Sequence, residues 1–361
     1  MSASYWTSTQ RFQWQHTKES LDKERQKLWI LEYQLFPQGL NIVIDPKPNN
    51  LNLDSATKNP GNNVSLSGNM NVPVTKNIPI SHRDLHYDKD FNLRIYCYFL
   101  IMKLGRRLNI RQCALATAQI YLSRFLIKVS IREINLYLLV TTCVYLACKV
   151  EECPQYIRTL VSEARSLWPE FIPPDPTKIT EFEFYLIEEL ESYLIVHHSY
   201  TSMEQIINIL NDKKYNLVIS SEDIQNCWSL INDSYISDVH LLYPPHVIAM
   251  ACLFITICIR GKVSKSSLNG TQSSTNSLKI NNDNYNNSLN IDRRSHSIFN
   301  RFMAESHVDL DEVMDTIQEL ITLYDHWDKY HESWIKFLLH TLYLRPNRVN
   351  QPHASITPDN L

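Results

Sequence analysis

The stretch LLVTTCVYLACKVEE, residues 138–152, decides the fold that this sequence predicts. Together with the residues before it, from 132 onwards, it is apolar on nearly every side, and a helix of that kind must be surrounded by other helices. A second stretch of the same character, PHVIAMACLFITICI, begins at Pro245. Two such helices in a chain of 361 residues predict an all-α fold with two helical cores.

Further helices are predicted around each central stretch. Around the first, the pattern predicts helices near 88–109, 111–129, 132–151, 155–168 and 177–193. Around the second, it predicts helices near 201–211, 222–238, 245–260, 298–306 and 309–331, and a final helix near 332–344. Asp175 is placed to cap the helix at 177, and Asp309 the helix at 309. The presence of only six glycines disfavours a turn-rich β fold.

A weak internal repeat relates the two halves of the chain. A shift of 109 residues aligns TCVYLAC (142–148) with ACLFITI (251–257), and a shift of 130 aligns Ile187 with Ile317. The difference of 21 residues between the shifts is accommodated by a stretch at 261–297 that is nearly half Asn or Ser. Because the order of helices agrees with this alignment, we predict two tandem five-helix bundles, each around one buried helix.

Segments outside the bundles complete the predicted organisation. Residues 1–44 form an N-terminal segment with an amphipathic helix at 17–36, which Pro37 and Gly39 stop. Residues 45–79 are rich in Asn, Pro and Ser and are predicted to be a low-complexity linker. The remaining boundaries are a first repeat at 80–197, a second repeat at 198–345 with its insert at 261–297, and a tail at 346–361.

The composition excludes several classes of protein. A net charge of −3 and a pI of about 6.5 argue against a broad nucleic-acid-binding face. The eight cysteines form no CxxC pair and mostly lie in apolar runs, which is typical of buried free thiols in a reducing compartment. The beginning lacks a signal-peptide run, and no uncharged apolar stretch reaches the length of a membrane span. We therefore expect a soluble intracellular protein.

Motifs of catalysis and metal binding are missing from the sequence. It contains no GxGxxG, GxxxxGK[ST], HExxH or GxSxG pattern. His326 and His331 have a poor spacing for one helix face. The pairs Glu151-Glu152 and Glu188-Glu189 are interpreted as solvated helix faces. We expect no catalytic residue, no cofactor and no metal site.

The central helix and its neighbours resemble the cyclin box. Residues 138–152 resemble its third helix, LRIYCYFLIMKLGRRLNI (93–110) its first and YLSRFL (121–126) its second. EFEFYLIEELESYLIVHHSY (181–200) is similar to the fifth helix and the crossing into the second repeat. The resemblance implies two tandem cyclin boxes, with an extra N-terminal helix and a C-terminal helix.

Shorter strings are similar to one branch of that family, the cyclin C branch. They are Tyr5-Trp6, Trp14, KERQK (23–27), WSLINDSY (228–235) and LLYPPH (241–246). This resemblance implies a non-catalytic, nuclear subunit that binds and activates a cyclin-dependent kinase of the Mediator kinase module, together with other subunits of that module. It implies no direct contact with nucleic acid or membrane.

The resemblance also implies a kinase-binding face. Lys149 and Glu183 occupy the positions whose side chains hydrogen-bond backbone groups beside the kinase C-helix, and we expect both to be exposed in the free chain. The apolar residues expected around them are Leu146, Val150, Leu186 and Ile187. From the residues alone, other interpretations stay open: Lys149 could complement the negative end of its helix, Glu183 could form a capping box with Thr180, and the apolar residues could be core.

The N-terminal segment and the first helix carry further expectations. Trp6 and Trp14 are candidate partner contacts or core residues. The position that holds the usual acidic partner of Arg94 is Ser123 here, so Arg94 needs an acceptor elsewhere or is less buried. Leu100 stands where related cyclins have a substrate-docking Trp, which disfavours docking of that type.

Three other functions remain as alternatives. The chain could be a different transcriptional cyclin, similar to cyclin H. It could be a general transcription factor of the TFB type, which shares the two-repeat fold and binds DNA, although neither a basic face nor a zinc ribbon is seen. An all-helical enzyme is the third, and no convergent set of acids, bases or ligands supports it.

Overall fold

The computed structural model describes residues 4–35, 40–44, 76–80, 87–88, 90–269 and 282–343. Its architecture is helical, as predicted. Short helical elements begin the chain, with a 3-10 turn at Tyr5–Thr7 and helix α1 at Thr9–Gln13, followed by the longer α2 at Lys18–Leu35. The amphipathic helix predicted at 17–36 is therefore present as α2. It packs on the first bundle, and Leu21 and Leu28 are buried.

Five helices form the first bundle, as predicted. They are α3 (Phe91–Arg107), α4 (Gln112–Lys128), α5 (Leu136–Val150), α6 (Ile157–Leu167) and α7 (Thr177–Glu189). The central α5 contacts all four of the others. Eleven of its fifteen residues are buried, which agrees with its apolar composition.

Side-chain caps explain where several of these helices begin. The Asn135 carboxamide oxygen accepts hydrogen bonds from the backbone N–H groups of Tyr137 and Leu138 at the start of α5. Asp90 accepts from the N–H group of Asn92 at the start of α3. Asp175 accepts from the Thr177 N–H group at 3.0 Å, as its position before Pro176 predicts.

The second bundle repeats this plan, with a longer central helix. It contains α8 (Ser199–Asn211), α9 (Ser221–Ser234), the single turn α10 (Val239–Leu242), α11 (Pro245–Asn269), α12 (Asn282–Glu305) and α13 (Leu310–Trp327), and α14 (Glu332–Tyr343) follows. The helix α11 contacts α8, α9, α12 and α13. Cys143 and Cys252, which the predicted repeat aligns, are both fully buried in α5 and α11.

Three expectations about element boundaries need correction. The helix predicted at 222–238 ends at Ser234, and the separate turn α10 follows. The stretch 261–297 is not only an insert, because α11 continues to Asn269 and α12 begins at Asn282. In addition, β1 (Leu40–Ile44) and β2 (Lys76–Ile80) pair as an antiparallel ribbon, with Leu40 opposite Ile80. This ribbon was not predicted, and most of β2 falls in the stretch expected to be linker.

Two large cores lie on either side of the junction between the bundles. The first collects side chains of α3 to α7 with Trp14 and part of α14. The second collects those of α8 to α13 and includes Leu21 of α2. Because α2 contributes to the second core while it packs against α4 of the first bundle, the N-terminal segment joins the two bundles.

Candidate partner-docking site

The fold brings Lys149 and Glu183 together. Lys149 lies in the last turn of α5, and Glu183 lies in the middle of α7, which packs against α5 along its length. The Lys149 Nζ atom donates a hydrogen bond to Glu183 Oε1 at 2.6 Å. The two residues therefore form one charged pair at the end of the central helix.

The exposure of this pair is unequal, which corrects one expectation. The Lys149 side chain is 44% exposed, whereas that of Glu183 is 9% exposed. Glu183 lies on the buried face of α7 with Ile179 and Leu186, so it is not exposed in the free chain. A buried carboxylate needs a charged or hydrogen-bonding partner, and Lys149 provides it. The outer end of the pair, the Lys149 ammonium, remains accessible.

The alternative interpretation of Glu183 as a capping-box residue is wrong. Thr180 lies inside α7, where its hydroxyl donates to the backbone oxygen of Thr177, and it does not cap the helix. The side chain that accepts a backbone hydrogen bond at the start of α7 is that of Asp175, from the Thr177 N–H group. Lys149 does lie in the last turn of α5, so its favourable interaction with the negative end of that helix coexists with the ion pair.

The apolar residues expected around the pair divide into two groups. Leu146 and Leu186 are buried in the first core, so their assignment to a docking surface is wrong and the core interpretation holds. Both side chains lie on the inward faces of their helices. The spacing of residues along the sequence does not tell which face of a helix is inward. Val150 and Ile187 are partly exposed beside the pair and remain candidate contact residues.

Two aromatic residues at this face were missed by the sequence analysis. Phe184 is 74% exposed on the outer face of α7, between the exposed Glu181 and Glu188. Tyr145 is partly exposed, and the Lys149 ammonium lies 4.7 Å from its ring centroid. The signal for Phe184 was available, because it is an apolar residue at a position where the amphipathic pattern of α7 requires a polar one.

The two N-terminal tryptophans have different environments. Trp14 is buried in the first core, and the cationic groups of Arg124 and Lys128 lie 4.9 and 5.0 Å from its ring. Core packing is therefore the correct interpretation of Trp14. Trp6 is 52% exposed, with its ring beside His246 of the second bundle, so it stays available for a partner.

Comparison with known proteins gives the family. Residues 70–195 match the family model described as cyclin, N-terminal domain. The RNA polymerase II holoenzyme cyclin-like subunit of Saccharomyces cerevisiae is 70% identical over 96% of this chain and 99% of its own length. The Candida glabrata protein of the same name is 69% identical over the same shares. The chain belongs to the cyclin family, in its cyclin C branch.

Solved structures resemble this cyclin more distantly. A chain of the CAK complex of Chaetomium thermophilum is 14% identical, with a TM-score of 0.49 over 97% of each chain. A chain of the yeast TFIIK complex is 19% identical, with a TM-score of 0.47 over 82% of this cyclin and all of that chain. Similarity at this level carries no information on function. Within the described part of this cyclin, no helix has both the length and the apolar character that crossing a membrane requires.

Arg94 of this cyclin is buried and takes its acidic partner from the second bundle. Its guanidinium donates to the backbone oxygens of Tyr87 and Asp88, each at 2.7 Å, and to Asp238 Oδ2 at 3.0 Å. Arg25 of α2 donates to the other oxygen of Asp238 at 2.8 Å. Burial opposes ionisation of the Asp238 carboxyl, but the two guanidinium groups outweigh it and lower the pKa of Asp238.

Glu151 of this cyclin is also more buried than expected. Its carboxylate accepts hydrogen bonds from the Thr117 hydroxyl at 2.6 Å and the Cys113 thiol at 3.4 Å, and His198 Nε2 lies 3.8 Å away. Glu151 is therefore not simply a solvated helix face. Cys113, Glu151 and His198 offer ligand atoms within 4.8 Å of one another. Burial and the Glu151 charge raise the pKa of the Cys113 thiol to about 12, so the thiol is protonated and donates to the carboxylate.

Proposed function

We propose that this cyclin binds and activates a cyclin-dependent kinase that acts in RNA polymerase II transcription, as a nuclear subunit of the Mediator kinase module. The observation that carries the proposal is the Lys149–Glu183 pair, whose ammonium is accessible at the junction of α5 and α7. The names of the curated relatives, which are RNA polymerase II holoenzyme cyclin-like subunits, support the assignment to transcription.

The contact face of this proposal consists of the pair and the exposed apolar groups beside it. These groups are Tyr145, Val150, Phe184 and Ile187. Exposed aromatic side chains are enriched in protein interfaces, and a charged pair among them contributes hydrogen bonds to the partner. The Lys149 ammonium has three N–H donors and uses one on Glu183, so it can also donate to backbone oxygens of a partner.

Activation would follow from binding alone. A protein kinase is active when its Lys–Glu ion pair forms and its Mg²⁺-binding Asp is in place. A cyclin that binds the active arrangement of the kinase C-helix more tightly than the inactive one shifts the kinase towards the active state. The size of the shift equals the difference between the two affinities. A lasting interface should bury on the order of 2,000 Å². The cyclin itself supplies no catalytic group in this mechanism.

Kinase co-purification tests this proposal. The full chain is immobilised, incubated with cell extract, and the bound kinase is identified by mass spectrometry and assayed for activity. We expect a cyclin-dependent kinase whose recovery falls at least about tenfold with Lys149→Glu, since a reversed charge at an interface centre costs more than about 1.4 kcal/mol. Lys178→Glu is the matched control, because Lys178 is exposed on α7 in an ion pair with Glu181.

The double variant Lys149→Glu/Glu183→Lys separates two roles of the pair. It restores an ion pair inside the cyclin but leaves the wrong charge towards a partner. If the pair serves only the stability of the cyclin, the double variant recovers the kinase fully, and the proposal is contradicted. Kinase activity of the purified cyclin alone would also contradict it.

A further inference from the structure

An apolar groove crosses the second bundle. It lies over residues 254–259 in the middle of α11, between α9 and α13, and has a volume of about 920 Å³. The apolar residues that line it are Leu230, Phe254, Ile255, Cys258, Ile259, Ile317, Leu320, Ile321 and Tyr324. Ile259 is 49% exposed and Ile321 is 56% exposed at the rim, whereas Leu230, Ile317 and Leu320 form the buried floor of the groove and belong to the second core.

This groove is the repeat-related counterpart of the candidate docking face in the first bundle. The shift of 109 residues carries Tyr145 onto Phe254 and Val150 onto Ile259. All four of these residues are at least partly exposed. The same pair of helices, the central one and the fifth, therefore presents apolar groups outward in both bundles.

The charged centre of the first face is absent from the second. The shift of 109 places Cys258 at the position of Lys149, and the shift of 130 places the buried Val313 at the position of Glu183. The same shift of 130 pairs Phe184 with Met314, which is 57% exposed. The second face thus keeps the outward apolar residues and replaces the ion pair by apolar groups, so it suits a more apolar ligand than the first.

The spacing of apolar residues on α13 indicates the shape of that ligand. Leu310, Met314, Ile317, Ile321 and Tyr324 follow one another at intervals of four, three, four and three residues. Leu310, Met314 and Ile321 are exposed, Tyr324 is at the border of exposure and Ile317 is buried. Ile317, Ile321 and Tyr324 line the groove, and Leu310 and Met314 precede them on the same helix. Alternating intervals of three and four form the seam along which one α-helix packs against another. An amphipathic helix is therefore the ligand that this stripe fits.

The charges beside the groove indicate which charge the polar face of the ligand helix carries. Among the described residues that line the groove, the charged ones are acidic: Glu222 is exposed, whereas Asp223 is buried and its carboxylate accepts a hydrogen bond from the Ser220 hydroxyl at 2.7 Å. Asp311, next to the exposed end of the stripe, is acidic and exposed as well. A ligand helix with Lys or Arg beside its apolar stripe complements the exposed carboxylates of Glu222 and Asp311, whereas an acidic helix is repelled.

We propose that the groove between α9, α11 and α13 is a docking site for a basic amphipathic α-helix of a partner protein. The apolar stripe of that helix packs on Ile259, Ile321 and Tyr324, and its basic residues face Glu222 and Asp311. The site lies in the second bundle and is separate from the kinase-docking face on α5 and α7.

Peptide binding to the full chain tests this proposal. The probe is a fluorescently labelled synthetic helix with Leu at the four-three spacing and Lys on the flanks, titrated by fluorescence anisotropy. One comparison peptide has every Lys replaced by Glu, and another has the same composition with the Leu spacing scrambled. We expect saturable binding of the first peptide, and at least about tenfold weaker binding of the other two.

Two groove variants and a matched control test whether the peptide binds in the groove. Ile259→Glu and Ile321→Glu should each weaken binding of the basic peptide at least about tenfold, because they introduce a charge into the apolar contact. Ile209→Glu should not, since Ile209 is also 49% exposed but lies on α8, outside the groove. Circular dichroism should show equal helicity for all three variants, and kinase recovery should be unchanged by the groove variants.

Several outcomes would overturn the proposal. These are no saturable binding of the basic peptide, equal binding of the scrambled peptide, or equal weakening by Ile209→Glu. Two results would assign the groove to another occupant and thereby overturn it as well. One is a dimer of the free chain that Ile321→Glu dissociates, and the other is stronger peptide binding after deletion of residues 346–361, which would identify that segment as the occupant.

Discussion

At the scale of single residues, the buried ionisable groups are the sensitive points of this cyclin. Asp238 accepts hydrogen bonds from Arg25 and Arg94, and thereby ties α2 and α3 to the turn before α10. The sequence alone left the acceptor of Arg94 open, because Ser123 occupies the family's acidic position. Ser123 does not contact Arg94 through a carboxylate; its hydroxyl lies at hydrogen-bond distance, 3.2 Å, from the buried Tyr87 hydroxyl.

Asp238→Asn should strongly destabilise the fold. The change leaves two guanidinium groups without their anion, and breaking a buried charged pair costs about 3–5 kcal/mol. Urea unfolding followed by circular dichroism measures the loss. Asp315→Asn is the control, because Asp315 pairs with Lys18 at an exposed site, where the cost is below about 1 kcal/mol. Equal losses for the two variants would contradict the assignment of Asp238.

The stability of the fold should also fall in mild acid because of His240. This side chain is fully buried, its ring stacks on Tyr235, and burial lowers its pKa well below the ordinary value. Below a pH of about 6.5 the unfolded chain therefore binds a proton that the folded chain does not, and stability is lost as the pH falls, by at most about 1.4 kcal/mol per pH unit from this group.

His240→Gln tests this pH dependence. Gln retains a hydrogen-bonding group for Ser234, which lies 2.8 Å from His240 Nε2, but it does not titrate. The unfolding free energy measured between pH 7 and pH 5 should therefore fall less steeply in the variant. An unchanged slope would mean that other groups cause the dependence. The pKa of His16 is also lowered by burial, so part of the slope should remain.

At the scale of elements, the close approach of α3 and α4 depends on one glycine. A Cβ atom at Gly105 would lie 2.5 Å from Leu115 Cδ2 and 3.2 Å from Leu115 Cγ. Both residues are buried, so the leucine side chain has little room to move aside. The packing of α3 on α4 therefore requires a residue without a Cβ atom at position 105, although glycine is unfavourable inside a helix.

Gly105→Ala should have opposite effects in two backgrounds. In the natural chain we expect a loss of about 1–3 kcal/mol from overpacking. In a Leu115→Ala background the added methyl has space, and it should raise stability by up to about 1 kcal/mol through helix propensity. A double-mutant cycle of urea unfolding measures both values. The same sign in both backgrounds would contradict a direct contact.

At the scale of the whole molecule, the N-terminal segment holds the two bundles together. Trp14 lies in the first core, Leu21 lies in the second, and Arg25 pairs with Asp238 between them. The bundles are therefore not independent units joined by a linker. We expect one cooperative thermal transition for the intact chain.

Deletion of residues 1–35 should uncouple the bundles. The loss of buried Trp14, Leu21 and Leu28 removes several kcal/mol of apolar burial and the Arg25 partner of Asp238. Differential scanning calorimetry should show a melting temperature lower by several degrees, with a broadened or divided transition. A single transition at an unchanged temperature would show that the segment is dispensable for stability.

Much of this organisation could be predicted from the sequence, because it depends on local patterns. The apolar character of 138–152 and of the stretch from Pro245 fixes which helices are central, since such surfaces can only be buried. Asp175 and Asp309 mark helix beginnings, and both accept the expected backbone hydrogen bonds. The extent of α11 and α12 was missed because Asn and Ser have weak helix propensity, so the composition of 261–297 favoured an insert.

The sequence by itself determined the helical class and the two central helices, because apolar periodicity lies along the chain. The resemblance to the cyclin box implied one contact for Lys149 and Glu183, and their ion pair appears only in the tertiary structure. Only the tertiary structure decided which face of each helix is buried, and therefore that Leu146 and Leu186 are core while Phe184 is exposed. It also decided that Arg94 takes its anion from residue 238. A hydrogen bond between positions 144 residues apart depends on how the bundles pack against each other, and no local pattern contains that information.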